Sequence, residues 1–314
     1  RFVTGLKLFI TLNDCIKLNL NLRCASQVLY SLQAFKAIDA QAIYSELVQM
    51  PWEEIIPDPG YFSVTSNVSN ESINNSMFAN LRVKDAIVDR LRDIRTERPK
   101  TGAALTGTVI HLHWKDDFAE IFIDTTGDSI ARHGYRKIPG LAPMLEGLAA
   151  ATIYASKWDN KSPFINPMCG SGTLAIEAAL MASNKVPGLF RSNYAFMHVL
   201  GYDASIYDKE RLNIEAQIID VKVPIFASDI SSKAIENAKL NALAAGVSEM
   251  ISFSVCDFYE THVPEDGAGV MMVNPEYGDR LGDETALEET YGRIGDFMKK
   301  KCGGYWGYVF TGNL

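Results

Sequence analysis

The sequence predicts an α/β protein of two domains, the second built on a parallel sheet covered by helices. Three observations carry that expectation. Strand and helix patterns alternate from about residue 143 to the end, the signature of strands joined through crossover helices. A segment with two Pro and two Gly, "GYRKIPGLAPM" (134–144), interrupts the chain and reads as a junction. The length of 314 residues, 47% of them hydrophobic, suffices for two cores.

Ahead of the junction, "DAIVDRLRDIR" places Ile87, Val88, Leu91 and Ile94 on one helical face, with Arg82, Arg90, Arg92 and Arg95 over the rest. "YFSVTSNVS", "GTVIHLHW" and "FAEIFIDTTG" alternate or run β-branched and read as short strands. His111 and His113 share a strand face without a third ligand nearby, so a half-exposed strand explains them better than a metal. We place the domains at 1–137 and 138–314.

Beyond the junction, "PMLEGLAAATIYAS" reads as a helix with Pro143 in its first turn. Strands are expected at "PFIN", "VPIFASD", "MISFSVCD", "GVMMVN" and "YWGYVFT", and "SSKAIENAKLNALAAG" is a helix stopping at Gly246. The roughly 40 residues from Ser183 to Lys222 exceed an ordinary connection and read as an insertion.

Charge is distributed unevenly. Residues 1–140 carry 16 Lys/Arg against 16 Asp/Glu; the remainder carries 14 against 22, which accounts for the net −8. Within the first part, residues 81–100 have seven basic and four acidic side chains. A nucleic-acid face would therefore be local and N-terminal; a solvated amphipathic helix is the alternative. The five cysteines are scattered with no Cys-x-x-Cys pair, which points to free thiols and no metal. No run of about 18 apolar residues and no signal-peptide pattern appears, which predicts a soluble, cytoplasmic protein without a membrane partner.

Two stretches carry chemistry. "INPMCGSGTLAIEAAL" (165–180) reads as strand, glycine loop and helix: Gly170 and Gly172 permit close backbone approach and positive φ, and the helix from about Thr173 aims free N–H groups at a ligand. Gly170, Gly172 and Ala175 also fit a dinucleotide fingerprint, but its acidic partner is missing about 20 residues on. Asp229 and Asp257 instead end the next strands, where each could accept from a ribose hydroxyl or an exocyclic amine; helix capping is the plainer role. In "GVMMVNPEYGDRL" (269–281), Asn274 and the carbonyls beside Pro275 offer acceptors for an –NH₂ group, and Tyr277 offers a flat face for a base; a bare turn is the alternative.

Taken together, the loop, the two carboxylates and Asn-Pro-x-Tyr resemble a Rossmann-like S-adenosylmethionine-dependent methyltransferase of the amino-methylating type. "NPMCGSGT" and "NPEYGDRL" resemble the corresponding motifs of RNA guanine-N2 methyltransferases. "NLRCASQVLYSL", "PWEEII", "FANLRVKDAIVDRLR" and "HGYRKIPGLAPMLEGLAAA" resemble the THUMP domain and junction of the bacterial 23S ribosomal RNA guanine-N2 methyltransferase family, so the likeness covers nearly the whole chain. The resemblance implies a smaller α/β THUMP-like RNA-binding domain before a class I methyltransferase domain. It implies that Asn166, Cys169, Gly170, Gly172 and Thr173 surround the methionine part of S-adenosylmethionine, that Asp229 holds the ribose, and that Asp257 and Phe258 hold the adenine. Asn274, Pro275 and Tyr277 would hold the target guanine. Arg82, Lys84, Arg132, Arg136 and Lys137 are the candidates for RNA, on charge and position.

Three departures stand out. Glu276 replaces a second proline, Asn166 replaces the commoner Asp, and the expected ferredoxin-like start and final strand pair are incomplete. The last leaves two readings, a fragment or a chain that has lost pieces. Glu276 keeps open an RNA-binding module with an inactive second half. A nicotinamide dehydrogenase is a more distant reading.

Overall fold

The computed structural model describes residues 5–70, 73, 75–139, 143–265, 267–275 and 284–311. They form two compact units, residues 1–130 with 191–213, and residues 131–190 with 214–314.

The first unit is a mixed five-stranded sheet in the order β1-β5-β4-β2-β3, with β1 at Leu29–Lys36, β2 at Tyr61–Ser69, β3 at Lys100–Thr101, β4 at Thr108–Lys115 and β5 at Phe118–Asp124. The turn between β4 and β5 is two residues, with Asp116 at φ +53°, a conformation Asp tolerates better than most side chains. Helices α1 (Leu12–Asn21), α2 (Ala40–Leu47) and α3 (Ser76–Ile94) belong to this unit. The apolar face foreseen on α3 is real: Val83, Ile87, Val88 and Leu91 are buried with Trp52, Phe62 and Trp114 in one core, while Ile94, at the helix end, is exposed. Both tryptophans satisfy their ring N–H, Trp52 at the Leu47 carbonyl (2.6 Å) and Trp114 at the Ala37 carbonyl (2.9 Å), so their burial leaves no orphaned donor.

Much of the basic charge on α3 is held internally. Arg90 forms a two-pronged contact with Glu53 (3.1 and 2.6 Å), and Arg95 donates to the carbonyls of Ile56 and Pro57. The segment expected to be a plain insertion does more than loop out: its residues 191–213, including most of α6 (Ala204–Glu215), fold with the first unit, where Arg191 lies over the Tyr194 ring.

His111 lies on β4 opposite Thr65 of β2 and shares a 2.8 Å hydrogen bond with its hydroxyl. No metal-binding cluster occurs among the described residues. Burial, with a smaller contribution from His113, lowers the His111 pKa from 6.5 to about 4. The unfolded chain therefore binds this proton below pH ~6.5 while the folded chain resists it to about 4, so stability is lost as pH falls through that window. In His111→Gln the part of the loss between those two values is expected to disappear, as followed by denaturant midpoints measured against pH.

The second unit is a parallel five-stranded sheet in the order β10-β9-β6-β7-β8: β6 at Phe164–Asn166, β7 at Ile225–Asp229, β8 at Ile251–Val255, β9 at Val270–Val273 and β10 at Trp306–Val309. All five were anticipated; β6 and β9 are largely apolar runs buried throughout, as inner parallel strands are, whereas the edge strands β8 and β10 are largely exposed. Helix α4 (Glu146–Ala155) starts three residues later than expected, capped by Leu145, so Pro143 precedes the helix and does not occupy its first turn. Helix α5 (Thr173–Ala182) begins where the glycine loop ends. Helix α7 (Ser232–Ala245) is capped by the Ser231 hydroxyl and stops at Gly246 with φ +64°. Helix α8 (Glu284–Lys301) precedes β10. No helix among the described residues is long and apolar enough to cross a membrane.

Candidate functional site

In the second sheet β6 is flanked by β7 on one side and β9 on the other, with β7 and β8 continuing one way and β10 the other. The connections after β6 and β9 thus leave a crevice at their carboxyl ends, where open parallel sheets accept ligands. The register pairs Phe164 with Val270 and Ile165 with Met271, which brings the turn after Ile165 and the tip of β9 side by side.

A small cleft of about 90 Å³ opens there, lined by Pro143, Met144, Asn166, Met168, Cys169, Gly170, Ser171, Thr173, Leu174 and Asn274. Five residues singled out from the sequence, Asn166, Cys169, Gly170, Thr173 and Asn274, are therefore brought together. Gly172, Asp229, Asp257, Phe258 and Pro275 are not in its lining. Tyr277 and Glu276 lie outside the described residues.

The loop between β6 and α5 is held by short backbone contacts. The Cys169 N–H donates to the Ser228 carbonyl (2.9 Å), the Gly172 N–H to the Cys169 carbonyl (2.9 Å), and the Gly170 N–H to Asp229 Oδ2 (2.9 Å). Asp229 Oδ1 accepts from the Ser231 N–H (2.9 Å), so Asp229 braces the loop while keeping lone pairs for a further donor. Burial first, and the Asp229 charge second, hold the Cys169 thiol well above its ordinary range, so it is a packing group and no nucleophile.

The two glycines differ in purpose. At Gly170 (φ +54°) an added Cβ would meet nothing within 4 Å, consistent with an open cradle beside the cleft. At Gly172 (φ +85°) the same atom would fall 2.9 Å from Ala238 Cβ, so this glycine serves the packing of α5 against α7. Gly172→Ala is expected to destabilise the protein by about 2–4 kcal/mol through left-handed strain and overpacking, read from the denaturant midpoint.

Asn166 is 1% exposed; its Nδ2 donates to the Met272 carbonyl (2.9 Å) on β9, leaving Oδ1 buried with no partner among the described residues. Asn274 Oδ1 is likewise buried and unpartnered. Buried acceptors in folded proteins are generally paired, and two on residues lining one cleft leave capacity there for incoming donors. Farther along the sheet, the Arg293 guanidinium on α8 binds Asp257 at 2.8 Å and holds its carboxyl below the usual range. Arg293 also covers the ring of Phe258, which is buried against Phe297. Arg293 escaped the sequence reading because its partner stands 36 residues away.

The basic candidates divide. Arg132 and Lys137 are exposed, and Arg82 and Lys84 are half-buried on α3, with Arg82 lying over the Phe78 ring. Arg136 is not an exposed basic residue: its side chain is 13% exposed, 3.4 Å from Glu146, and donates to Thr173 Oγ1. Missed altogether was Asn241 on α7, 1% exposed, whose amide accepts from the N–H groups of Lys137 and Ile138 and donates to the carbonyls of Ile138 and Ser171. It ties the strap after the junction to the glycine loop, and a lone Asn in a helical pattern gives no sequence signal of it.

Comparison with known proteins matches residues 133–313 to the RMKL-like, methyltransferase domain family and residues 37–124 to the THUMP domain. The chain is 36% identical over 302 residues to the ribosomal RNA large subunit methyltransferase K/L of Syntrophotalea carbinolica, covering 93% of this chain and 42% of that protein. It thus spans less than half the length of such curated relatives. Among solved structures, it is similar to a protein from Listeria monocytogenes named a predicted N6-adenine-specific DNA methylase (30% identity, TM-score 0.86, 97% of this chain and 80% of that one). It is also similar to SMU.472, solved in complex with SAH (27% identity, TM-score 0.84, 96% and 79%).

Proposed function

Because the chain belongs to the RMKL-like methyltransferase domain family and carries a THUMP domain ahead of that domain, we propose that it methylates the exocyclic N2 of a guanine in structured RNA, with 23S ribosomal RNA as the substrate and S-adenosylmethionine as the cofactor. One observation carries this reading: Asn166 and Asn274, each with a buried side-chain acceptor that has no partner among the described residues, line a single cleft at the switch point of a parallel sheet.

The residues present fit the cofactor, since the cleft combines an open glycine cradle with an uncapped helix N-terminus, and Asp229, at the end of the neighbouring strand, braces that cradle from outside the lining. Asn166, Cys169, Gly170 and Thr173 would hold its methionine part, with Gly172 shaping the turn. Asp229 would hold its ribose, and Asp257 beside Phe258 its adenine. When bound, S-adenosylmethionine supplies an electrophilic methyl carbon on a sulfonium.

Asn274 Oδ1 accepts a hydrogen of the target amine, and the carbonyls beside Pro275 accept the other. Drawing both hydrogens toward acceptors loosens the nitrogen lone pair from the ring, so alignment does the work that a strong base does elsewhere. Tyr277 would stack on the base. The guanine is flipped or already unpaired when it enters. Arg82, Lys84, Arg132 and Lys137 would take phosphate, and the protein acts in the cytoplasm.

The amine-recognising geometry equally suits adenine N6, and the name of the Listeria relative gives that reading a concrete basis. Incubation with labelled cofactor and ribosomal RNA, transfer RNA or duplex DNA decides between them. We expect label in large-subunit RNA, recovered as N2-methylguanosine by mass spectrometry. Label in DNA adenine, or no calorimetric binding of S-adenosylmethionine at millimolar concentration, would overturn the proposal, the latter in favour of an RNA-binding module.

A further inference from the structure

Arg136 stands beside the cleft without lining it, and its contacts dictate how a neighbour's proton is placed. Its Nη2 donates to Thr173 Oγ1 at 3.0 Å and to the Met144 carbonyl, and its Nε lies 3.4 Å from Glu146 Oε1, itself buried. A guanidinium has donors only, so Thr173 Oγ1 must be the acceptor and its own hydrogen is left to point elsewhere. Within a helix a threonine hydroxyl commonly gives that hydrogen to the carbonyl one turn back. Thr173 is the first residue of α5, so no intrahelical carbonyl lies there to take it. The cap residue Gly172 has no side chain to bond the first-turn N–H groups either. Thr173 and Met144 both line the cleft, so one largely shielded guanidinium ties together two of its lining residues.

We propose that Arg136 is a positioning residue that turns the Thr173 hydroxyl into a donor aimed at the cleft, where it and the α5 N-terminus select a ligand bearing an α-carboxylate. Glu146 balances the charge of Arg136, so the effect on the ligand is one of hydrogen-bond direction more than of net charge. The inference rests on the cofactor reading above and adds to it the group that discriminates the amino-acid end.

The test is calorimetry on the full chain with two ligands, S-adenosylhomocysteine and 5′-methylthioadenosine, which shares the adenosine and sulfur but lacks the amino-acid end. Arg136→Gln and Thr173→Val are each expected to weaken S-adenosylhomocysteine about tenfold, the scale of one charge-assisted hydrogen bond, and methylthioadenosine less than about twofold. Thr173→Ser, which keeps the hydroxyl, should restore the selectivity, and it serves also if Arg136→Gln fails to fold. Equal weakening of both ligands in Thr173→Val, or no weakening of S-adenosylhomocysteine, would overturn the inference. Failure of the unaltered protein to bind either ligand would instead remove the cofactor reading on which it stands.

Discussion

Replacing Asn274 by alanine is expected to lower methyl transfer by about 10²–10³-fold, the scale seen when a preorganised polar contact to a transition state is removed, while cofactor affinity stays within about twofold. The reason lies in where the side chain sits. Asn274 follows β9, whose four residues are all buried, and its Oδ1 is shielded without a partner among the described residues. An unsatisfied buried acceptor costs about 1–3 kcal/mol, a loss that the proposed amine would relieve at a group with no partner among the described residues. Asn274→Ala should therefore melt no lower than the parent, and possession of full stability with little activity is the pattern that distinguishes a substrate contact from a structural one. Asn274→Asp keeps an acceptor and should retain more transfer than the alanine variant. Paired measurements of S-adenosylmethionine binding and single-turnover rate decide the matter; a parallel fall in both would count against the assigned role.

The second large effect concerns stability. Glu177, in the middle of α5, and His133, near the start of the second unit, are each fully buried and meet at 2.7 Å through Oε1 and Nδ1. Deleting this fully buried side chain removes its hydrogen bond to His133 and opens a cavity within the packing of α5, so Glu177→Ala is expected to cost about 3–5 kcal/mol. In a unit of this size that corresponds to a fall in melting temperature on the order of 10 °C. Glu177→Gln retains an acceptor for the imidazole and should lose less. Calorimetric melts of the three proteins would test this, and an alanine variant melting within about 2 °C of the parent would refute the pairing as a major contributor.

Much of the second unit is legible in the sequence. β6 and β9 are short, largely apolar runs, β7, β8 and β10 are short strand-forming segments, and "GSGT" and Gly246 are local signals whose meaning depends on a few neighbouring dihedrals. Where signals weaken, the reading weakened too. β1 was not seen because its side chains are mostly half-buried and mixed with polar residues, so its pattern lacks a clean alternation. The start of α4 was placed too early because a proline suits a first helical turn equally well as it suits the strap before one.

The chain's own order of residues thus determined which segments become strands and helices and where the glycine loop turns. Only the tertiary structure decided that β9 lies beside β6, that residues 191–213 fold with the first unit, and that Arg136 turns inward to Thr173 and Glu146. Periodicity and turn chemistry act over a few residues and are written locally. Strand neighbours and charge partners are chosen by packing between segments far apart in the chain, and composition at either end does not specify which of several possible partners is met.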